Sequence, residues 1–189
     1  MNLRNRRIDT EWQLLAALAD ANRMTFAAIT RSEDEFRIDM RESPAWVGGR
    51  QERKIETAHM LRYVYPRYYP SLPLEGYFVR PIFHVNVDLT TGFVCLWQNY
   101  RPAQTIVDAI LITRAIMAGK VANLDAAHRM QQDAALECEE SPALPMMPLM
   151  LPPACRPLLS QRHTGRRRLT SELDPQVPRE NKCAISNPE

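Results

Sequence analysis

The stretch that decides the fold covers residues 65–105 and reads YPRYYPSLPLEGYFVRPIFHVNVDLTTGFVCLWQNYRPAQT. It opens with a proline-punctuated turn and continues into a β-like run over residues 77–83. Neither helical nor strand periodicity spans residues 86–102, and Cys95 lies inside this part in a short apolar patch. Long, ordered, non-periodic segments of compact domains are usually functional, so we expect the functional site here.

Composition limits the classes of protein that the chain can represent. Its 189 residues suffice for one domain and a tail, and a formal net charge of +2 gives no reason to expect nucleic acid as a partner. The four cysteines form no CxxC pair and show no metal-ligand spacing with histidine, which favours a reducing compartment and no metal or cofactor. No apolar run approaches the ~20 residues of a membrane helix. The sequence therefore predicts a soluble, cytoplasmic protein that does not enter a membrane.

The N-terminal half predicts one helix followed by strands. Residues 10–13 (TEWQ) fit a capping box, which places the start of the helix at Thr10. Apolar residues then recur at helical spacing on one face, which includes Trp12, Leu15 and Leu18. Alternating patterns predict strands over residues 24–30, 36–40, 55–65 and 77–83. The predicted fold class is α+β in two layers, with an N-terminal helix, a four-stranded antiparallel meander sheet, an irregular site segment and C-terminal helices.

The C-terminal part predicts two helices and then a tail. An amphipathic pattern begins at Ile106 and Gly119 is its predicted stop, while Asn123 is the predicted cap of a last helix that carries His128. Beyond residue 137 the sequence becomes rich in proline and methionine, which favours neither helix nor sheet. The predicted organisation is a basic N-terminal extension (1–9), one domain (10–137) and a largely disordered tail (138–189).

Three residues of the central stretch are candidates for chemistry. Cys95 is a candidate nucleophile, although an unpaired cysteine also packs well as a small hydrophobic residue. Asn86 follows a predicted strand, and its amide could donate a hydrogen bond to an oxyanion near Cys95. His84 could be the base of a Cys–His hydrolase, and the alternative is that His84 and Asn86 only satisfy backbone groups of their loop. The residues alone leave these interpretations open.

The order of the motifs resembles the core of the ubiquitin-conjugating enzyme family. Members of that family carry a Phe/Tyr-Pro-x-x-Tyr-Pro turn, a His-Pro-Asn tripeptide, a Gly-x-Val/Ile-Cys-Leu patch and a Trp-x-Pro motif before a helix. The corresponding residues here are 65–70, 84–86, 92–96 and 101–103. The resemblance covers residues 10–137.

The resemblance implies a role for each candidate residue. Cys95 would accept the C-terminal glycyl group of a ubiquitin-like protein as a thioester from an activating enzyme, and an amine of a target protein, usually a lysine, would then attack that thioester. Asn86 would steady the loop and stabilise the oxyanion, and His84 would be a structural member of the tripeptide. The arginines at positions 4, 6 and 7 precede the predicted helix, in the region that family members use to meet the activating enzyme. A non-catalytic variant that binds a ubiquitin-like protein or scaffolds a complex is the alternative.

Several positions depart from the family pattern. Val85 replaces the proline of the tripeptide, and Ser71 stands where many members carry an exposed aromatic residue that grips a ligase. The acidic loop after the long helix is cut down to residues 119–122. Trimmed loops of this kind resemble bacterial relatives, which accompany a ubiquitin-like protein, an activating enzyme and a deconjugating peptidase in antiviral defence operons. The resemblance therefore implies these proteins as partners.

Overall fold

The computed structural model describes residues 3–125, 128–137 and 141–155, in which two helices share a hydrophobic core with an antiparallel sheet. The helices are α1 (Leu3–Ala21), α2 (Ile106–Met117) and α3 (Gln132–Glu137). The strands are β1 (Phe26–Arg31), β2 (Glu35–Met40), β3 (Ala45–Val47), β4 (Lys54–Glu56), β5 (His59–Val64), β6 (Glu75–Phe78) and β7 (Phe93–Val94). No helix of the described residues is long and apolar enough to cross a membrane.

The main sheet has the order β1-β2-β5-β6-β7, and β3 and β4 form a separate hairpin. All pairs are antiparallel, so the predicted four-strand meander is present as β1, β2, β5 and β6. Alternation along the strands directs Phe36 and Ile38 of β2, and Leu61 and Tyr63 of β5, into the core under the helices. The predicted α+β class is therefore confirmed.

The last two predicted strands differ in extent from the observed ones. The run over 55–65 is divided between β4 and β5, and β6 ends at Phe78 instead of residue 83. Pro81 has no backbone N–H for a ladder, and the Phe83 N–H donates to the Trp46 carbonyl (2.6 Å) instead of to a strand of the main sheet. The chain therefore leaves the sheet several residues before His84.

Helix α1 begins at Leu3, so the predicted capping box at residues 10–13 is wrong, and residues 3–9 of the predicted N-terminal extension lie in the helix. The Thr10 hydroxyl donates to the Arg6 carbonyl inside the helix (3.0 Å), which is a helix-interior contact and not a cap. Arg4 pulls the first turn onto the domain because its guanidinium donates to the carbonyl oxygens of Tyr65 (2.7 Å) and Pro66 (3.0 Å). These contacts depend on the folded chain, which is why the local sequence pattern missed the start of the helix.

A buried carboxylate joins α1 to α2. The Oε2 atom of Glu11, a residue with no exposed surface, accepts the Ile106 N–H at 2.6 Å, at the first turn of α2. Its Oε1 atom accepts the Tyr69 hydroxyl and the Arg7 Nε–H, both at 2.7 Å. Burial raises the pKa of Glu11 in spite of these bonds. Glu11 thereby connects both helices to the tyrosine-proline turn that precedes the site.

The prediction for α2 is confirmed at both ends. It begins at Ile106, and Asp108 accepts the N–H of the capping residue Thr105 at 2.7 Å. Gly119 follows its last turn with a φ of +67°, the left-handed conformation that ends many helices.

Residues 141–155 form an extended strap that packs against α1 and α2, so the predicted disordered tail is wrong over this range. The Leu144 N–H donates to the Ala118 carbonyl (2.9 Å), and the buried Arg114 guanidinium of α2 donates to the Met147 carbonyl. Asn22 exchanges two hydrogen bonds with the backbone of Met150 (2.7 and 2.8 Å). Cys155 ends the strap with 3% of its surface exposed. The rest of the predicted tail (138–140 and 156–189) lies outside the described residues.

Candidate active site

Cys95 lies directly after β7, opposite the turn formed by residues 84–87. The Cys95 N–H donates to the Asn86 carbonyl at 2.9 Å, and Val87 and Val94 form an antiparallel bridge. The connection between them is closed by Asp88, whose carboxylate accepts both the N–H (2.6 Å) and the hydroxyl (2.7 Å) of Thr91. These bonds lower the pKa of Asp88. The segment expected to be irregular is therefore a tight hairpin that fixes the backbone of Cys95.

Gly92 allows this hairpin to lie against β6. Its φ is +75°, and a Cβ atom at this position would lie 2.0 Å from the Phe78 carbonyl oxygen. The close approach also forms a hydrogen bond, because the Phe78 N–H donates to the Gly92 carbonyl at 2.8 Å. The glycine of the sequence motif is thus required by the backbone, three residues before the cysteine.

The thiol of Cys95 is half-buried, and its hydrogen-bond partner among the described residues is His128. The Sγ and Nδ1 atoms lie 3.1 Å apart. Burial raises the pKa of Cys95, so the neutral thiol is favoured and its S–H can donate to Nδ1. The structure thus places an imidazole, the commonest proton acceptor of enzyme active sites, beside the sulfur.

Sequence reasoning did not identify His128 as a site residue. It placed His128 on an α-helix beginning at Asn123, whereas His128 lies in a 3-10 turn and α3 begins only at Gln132. The Asn123 side chain accepts the Asp125 N–H at 3.0 Å in a local turn, which competes with helix formation. A histidine after a turn was the only available signal, and no spacing rule connects residue 128 with residue 95.

Asn86 holds the segment that carries His128. Its Oδ1 atom accepts the Asn123 N–H (2.7 Å), and its Nδ2 group donates to the carbonyl oxygens of Asn123 (2.8 Å) and His128 (3.2 Å). Asn86 is 1% exposed, and both the oxygen and the nitrogen of its side-chain amide are hydrogen-bonded to backbone groups. The loop-steadying geometry is therefore present, while the role of Asn86 toward an oxyanion stays a prediction.

Two further contacts attach the same segment to the turn before Cys95. The Met130 N–H donates to the Val85 carbonyl at 2.8 Å. The buried Gln131 amide donates to the carbonyl oxygens of Ile82 and Val87, both at 2.8 Å. Val85, which replaces the proline of the family motif, is therefore held by backbone pairing. The position of His128 is fixed from both sides along the chain.

His84 faces its own loop. Its Nδ1 atom accepts the Asn86 N–H at 3.2 Å, and only 8% of its surface is exposed. Burial lowers its pKa to about 4, so the ring is neutral at pH 7. The imidazole in contact with the sulfur belongs to His128, so the hydrolase hypothesis with His84 as base lacks its required contact.

The aromatic residues near the cysteine serve packing. Trp97 donates its indole N–H to the Leu74 carbonyl (2.9 Å), and Tyr100 donates its hydroxyl to the Pro70 carbonyl (2.8 Å). The two rings also meet edge to face. Among the described residues, no group of three or more His, Cys, Asp or Glu side chains is arranged to hold a metal ion.

Solved structures with a similar fold are ubiquitin-conjugating enzymes. A Trypanosoma cruzi protein described as a ubiquitin-conjugating enzyme is 18% identical, with 74% of this chain and 92% of that chain covered and a TM-score of 0.58. The H. polymorpha ubiquitin-conjugating enzyme Pex4p, solved in complex with the soluble domain of Pex22p, is 19% identical, with 74% and 91% covered and a TM-score of 0.53. A Plasmodium yoelii protein described in the same way is 21% identical, with 71% and 84% covered and a TM-score of 0.50.

No family model matches the sequence, and no curated protein matches it. The structural likeness confirms the resemblance at the level of the fold. The chain has the ubiquitin-conjugating fold, with an N-terminal helix and an antiparallel meander sheet.

Proposed function

We propose that the protein is a conjugating enzyme for a ubiquitin-like protein, with Cys95 as the thioester site. The observation that carries the proposal is the half-buried Cys95 thiol, held in a fixed hairpin of a ubiquitin-conjugating fold and in contact with His128 at 3.1 Å. Cys95 would accept the modifier's C-terminal acyl group from an activating enzyme and pass it to a lysine of a target.

The geometry suits transfer from an activated acyl group. A thioester already has a good leaving group, so a rigid position for the acyl carbon and a nearby proton acceptor supply most of what aminolysis needs. The hairpin and the Asn86 hydrogen bonds provide the rigidity, and Cys95 is only half-buried. Asn86 and His84 act in this proposal by shaping the turn that faces Cys95.

The proposal extends to partners. The trimmed loops support four partners: the ubiquitin-like modifier, an activating enzyme, a target protein and a deconjugating peptidase. The proposed setting is antiviral defence in the cytoplasm of a bacterium. Arg4 and Arg7 are occupied by contacts within the domain, which leaves Arg6 as the exposed member of the N-terminal arginines that an activating enzyme would meet.

A charging assay tests the proposal. The full chain is incubated with ATP and a panel of ubiquitin-like proteins with their activating enzymes, and adducts are resolved on gels with and without reductant. We expect a reductant-sensitive adduct that is lost in Cys95→Ala and retained in Cys138→Ala. Cys95→Ser should convert it to a reductant-resistant ester. An adduct that survives Cys95→Ala would overturn the assignment of the site.

A second candidate is a hydrolase that cleaves acyl bonds of the modifier, because the Cys95–His128 contact is also the geometry of a Cys–His hydrolase. The product formed from the acyl group on Cys95 distinguishes the conjugating enzyme from the hydrolase. A conjugating enzyme gives the lysine amide when free lysine is added, whereas a hydrolase gives the free acid at a rate that lysine does not change.

The non-catalytic alternative predicts a different result in the charging assay. A scaffold would bind the ubiquitin-like protein without forming an adduct, and Cys95→Ala would leave the affinity unchanged. Binding without an adduct across the whole panel would favour that alternative.

A further inference from the structure

We infer that His128 is the catalytic proton acceptor of this site and takes the proton of the amine that attacks the Cys95 thioester. The inference rests on the proposed thioester chemistry at Cys95. It adds a catalytic residue that lies 33 positions away in sequence and outside the motifs that define the cysteine segment.

The first support is the position of the ring. Nδ1 lies 3.1 Å from Sγ, so it is within hydrogen-bonding distance of the thiol in the resting enzyme. In the loaded enzyme the sulfur has no proton, and Nδ1 is left facing the region of the neighbouring acyl carbon, where the amine arrives. His128 is half-buried, so the residue is in partial contact with solvent, which can take up a proton.

The second support is the number of contacts that fix the ring's backbone. Asn86 donates to the His128 carbonyl, the His128 N–H donates to the Asp125 carbonyl (2.8 Å), and Met130 and Gln131 bind the turn before Cys95. A proton acceptor is effective when it is held in hydrogen-bonding distance of the reacting group. Three separate attachments between the two segments provide that rigidity.

The step balances in atoms and charge. The amine nitrogen forms a bond to the acyl carbon while one of its protons moves to His128 Nδ1. The C–S bond then breaks, and the sulfur leaves as a thiolate beside the imidazolium formed in the first step. The imidazolium returns its proton to Sγ, which regenerates the thiol and the neutral ring and releases the amide. No other reactant is required.

The ionisable groups around His128 decide how a pH profile of the discharge rate is interpreted. The ionisable groups on the elements that contact it are Cys95 after β7, His84 on the facing turn, and Asp125 and Arg129 in its own segment. Burial lowers the pKa of His84 to about 4 and raises that of Cys95, which places both titrations outside the range between pH 5 and 8 where histidine ordinarily responds. Titration of His84 or Cys95 would therefore not produce an inflection in that range.

The test uses a probe that needs no partner protein. The full chain is acylated at Cys95 by a synthetic peptide thioester ending in Gly-Gly, isolated, and discharged by free lysine between pH 5 and 9. We expect His128→Gln to slow discharge by about 100-fold near pH 7, and to change the shape of the pH profile of the discharge rate. Added imidazole should restore a part of the rate in His128→Ala.

His59→Gln is the matched control, since the His59 ring bonds the Glu56 carbonyl on the sheet (3.0 Å), and its discharge rate should equal that of the wild type. An unchanged rate and profile in His128→Gln would overturn the inference. The inference would also be overturned if His128→Gln were slow but kept the shape of the wild-type pH profile, and imidazole did not restore His128→Ala. That result would show that His128 only positions other groups. If thermal melting shows that both His128 variants are unfolded, the wild type alone decides. A wild-type pH profile of the discharge rate without an inflection then overturns the inference.

The inference and the proposed function fail separately. If discharge depends on His128 but no activating enzyme charges the protein, the catalytic role of His128 stands and the conjugating role fails. If an activating enzyme charges Cys95 but discharge does not depend on His128, the conjugating role stands and the catalytic role of His128 fails.

Discussion

The side-chain amide of Asn86 and the backbone of Asn123 exchange two hydrogen bonds, of 2.7 and 2.8 Å, in an interior where Asn86 is 1% exposed. This pair joins the turn before the cysteine to the segment that carries His128. It explains how Cys95 and His128, which are 33 positions apart and precede and follow α2 in the sequence, come into contact. A change in Asn86 should therefore act on the chemistry of Cys95 through His128.

Asn86→Ala should lower the free energy of unfolding by about 3 kcal/mol, because it leaves buried N–H and carbonyl groups of the facing segment without partners. It should also slow the discharge of acylated Cys95, because His128 loses an attachment. Urea denaturation and the lysine discharge assay measure the two effects. Asn99→Ala, at an exposed asparagine, is the control and should change neither. Slow discharge with full stability would contradict this explanation.

His84 should make the fold sensitive to acid. An unfolded histidine takes up its proton near pH 6.5, whereas burial holds the pKa of His84 at about 4. Between these values the unfolded chain binds more protons, so the free energy of unfolding falls as the pH falls through this window. The loss amounts to about 3 kcal/mol once the pH is below 4.

The measurement is urea denaturation at intervals from pH 8 to 4, in the wild type and in His84→Gln. The variant should show a shallower decline below pH 6.5 and a constant offset from the wild type above pH 7.5. Parallel curves over the whole range would show that His84 is not the group responsible.

Glu11 should be essential for the packing of α1 on α2. Glu11→Ala removes a buried partner from the Ile106 N–H, the Tyr69 hydroxyl and the Arg7 guanidinium, and we expect a loss of about 3–5 kcal/mol in unfolding free energy. Glu33→Ala, at an exposed carboxylate, should cost less than about 0.5 kcal/mol. A comparable cost in the two variants would refute the role of Glu11.

The strap should protect Cys155 from thiol reagents. Cys155 is 3% exposed and its Sγ contacts the Leu14 carbonyl at 3.3 Å, whereas Cys95 is half-buried. Iodoacetamide, followed by mass spectrometry of each cysteine peptide, should label Cys95 faster than Cys155. Asn22→Ala should accelerate the labelling of Cys155 by tenfold or more, because it removes both bonds to Met150.

Asn5→Ala, at an exposed asparagine of α1, is the control and should leave the Cys155 labelling rate unchanged. Equal labelling of the two cysteines in the wild type would show that the strap does not stay docked in solution.

The helix–meander order was predictable because local patterns encode it. The apolar residues at period two on β2 and β5 face the core, and the Gly119 stop of α2 follows from its left-handed conformation. Gly92 and Cys95 were also visible as a motif, since the backbone approach to Phe78 requires glycine at a fixed distance before the cysteine. Patterns failed where distant contacts decide the structure. Arg4 fixes the start of α1, and Asn22 docks a proline-rich strap that composition alone marks as disordered.

The sequence by itself determined the fold class, the cysteine and the turn that faces it, because periodicity, glycine and proline act within a few residues of their own position. The tertiary structure decided which histidine meets the sulfur. His84 is nearer in sequence, but its ring is buried in its own loop and bonded to the Asn86 N–H. His128 reaches Cys95 because the Asn86 amide and the Gln131 side chain satisfy backbone groups across two segments. Hydrogen bonds between distant backbone segments leave no periodic trace in a sequence, so only the folded chain reveals this pair.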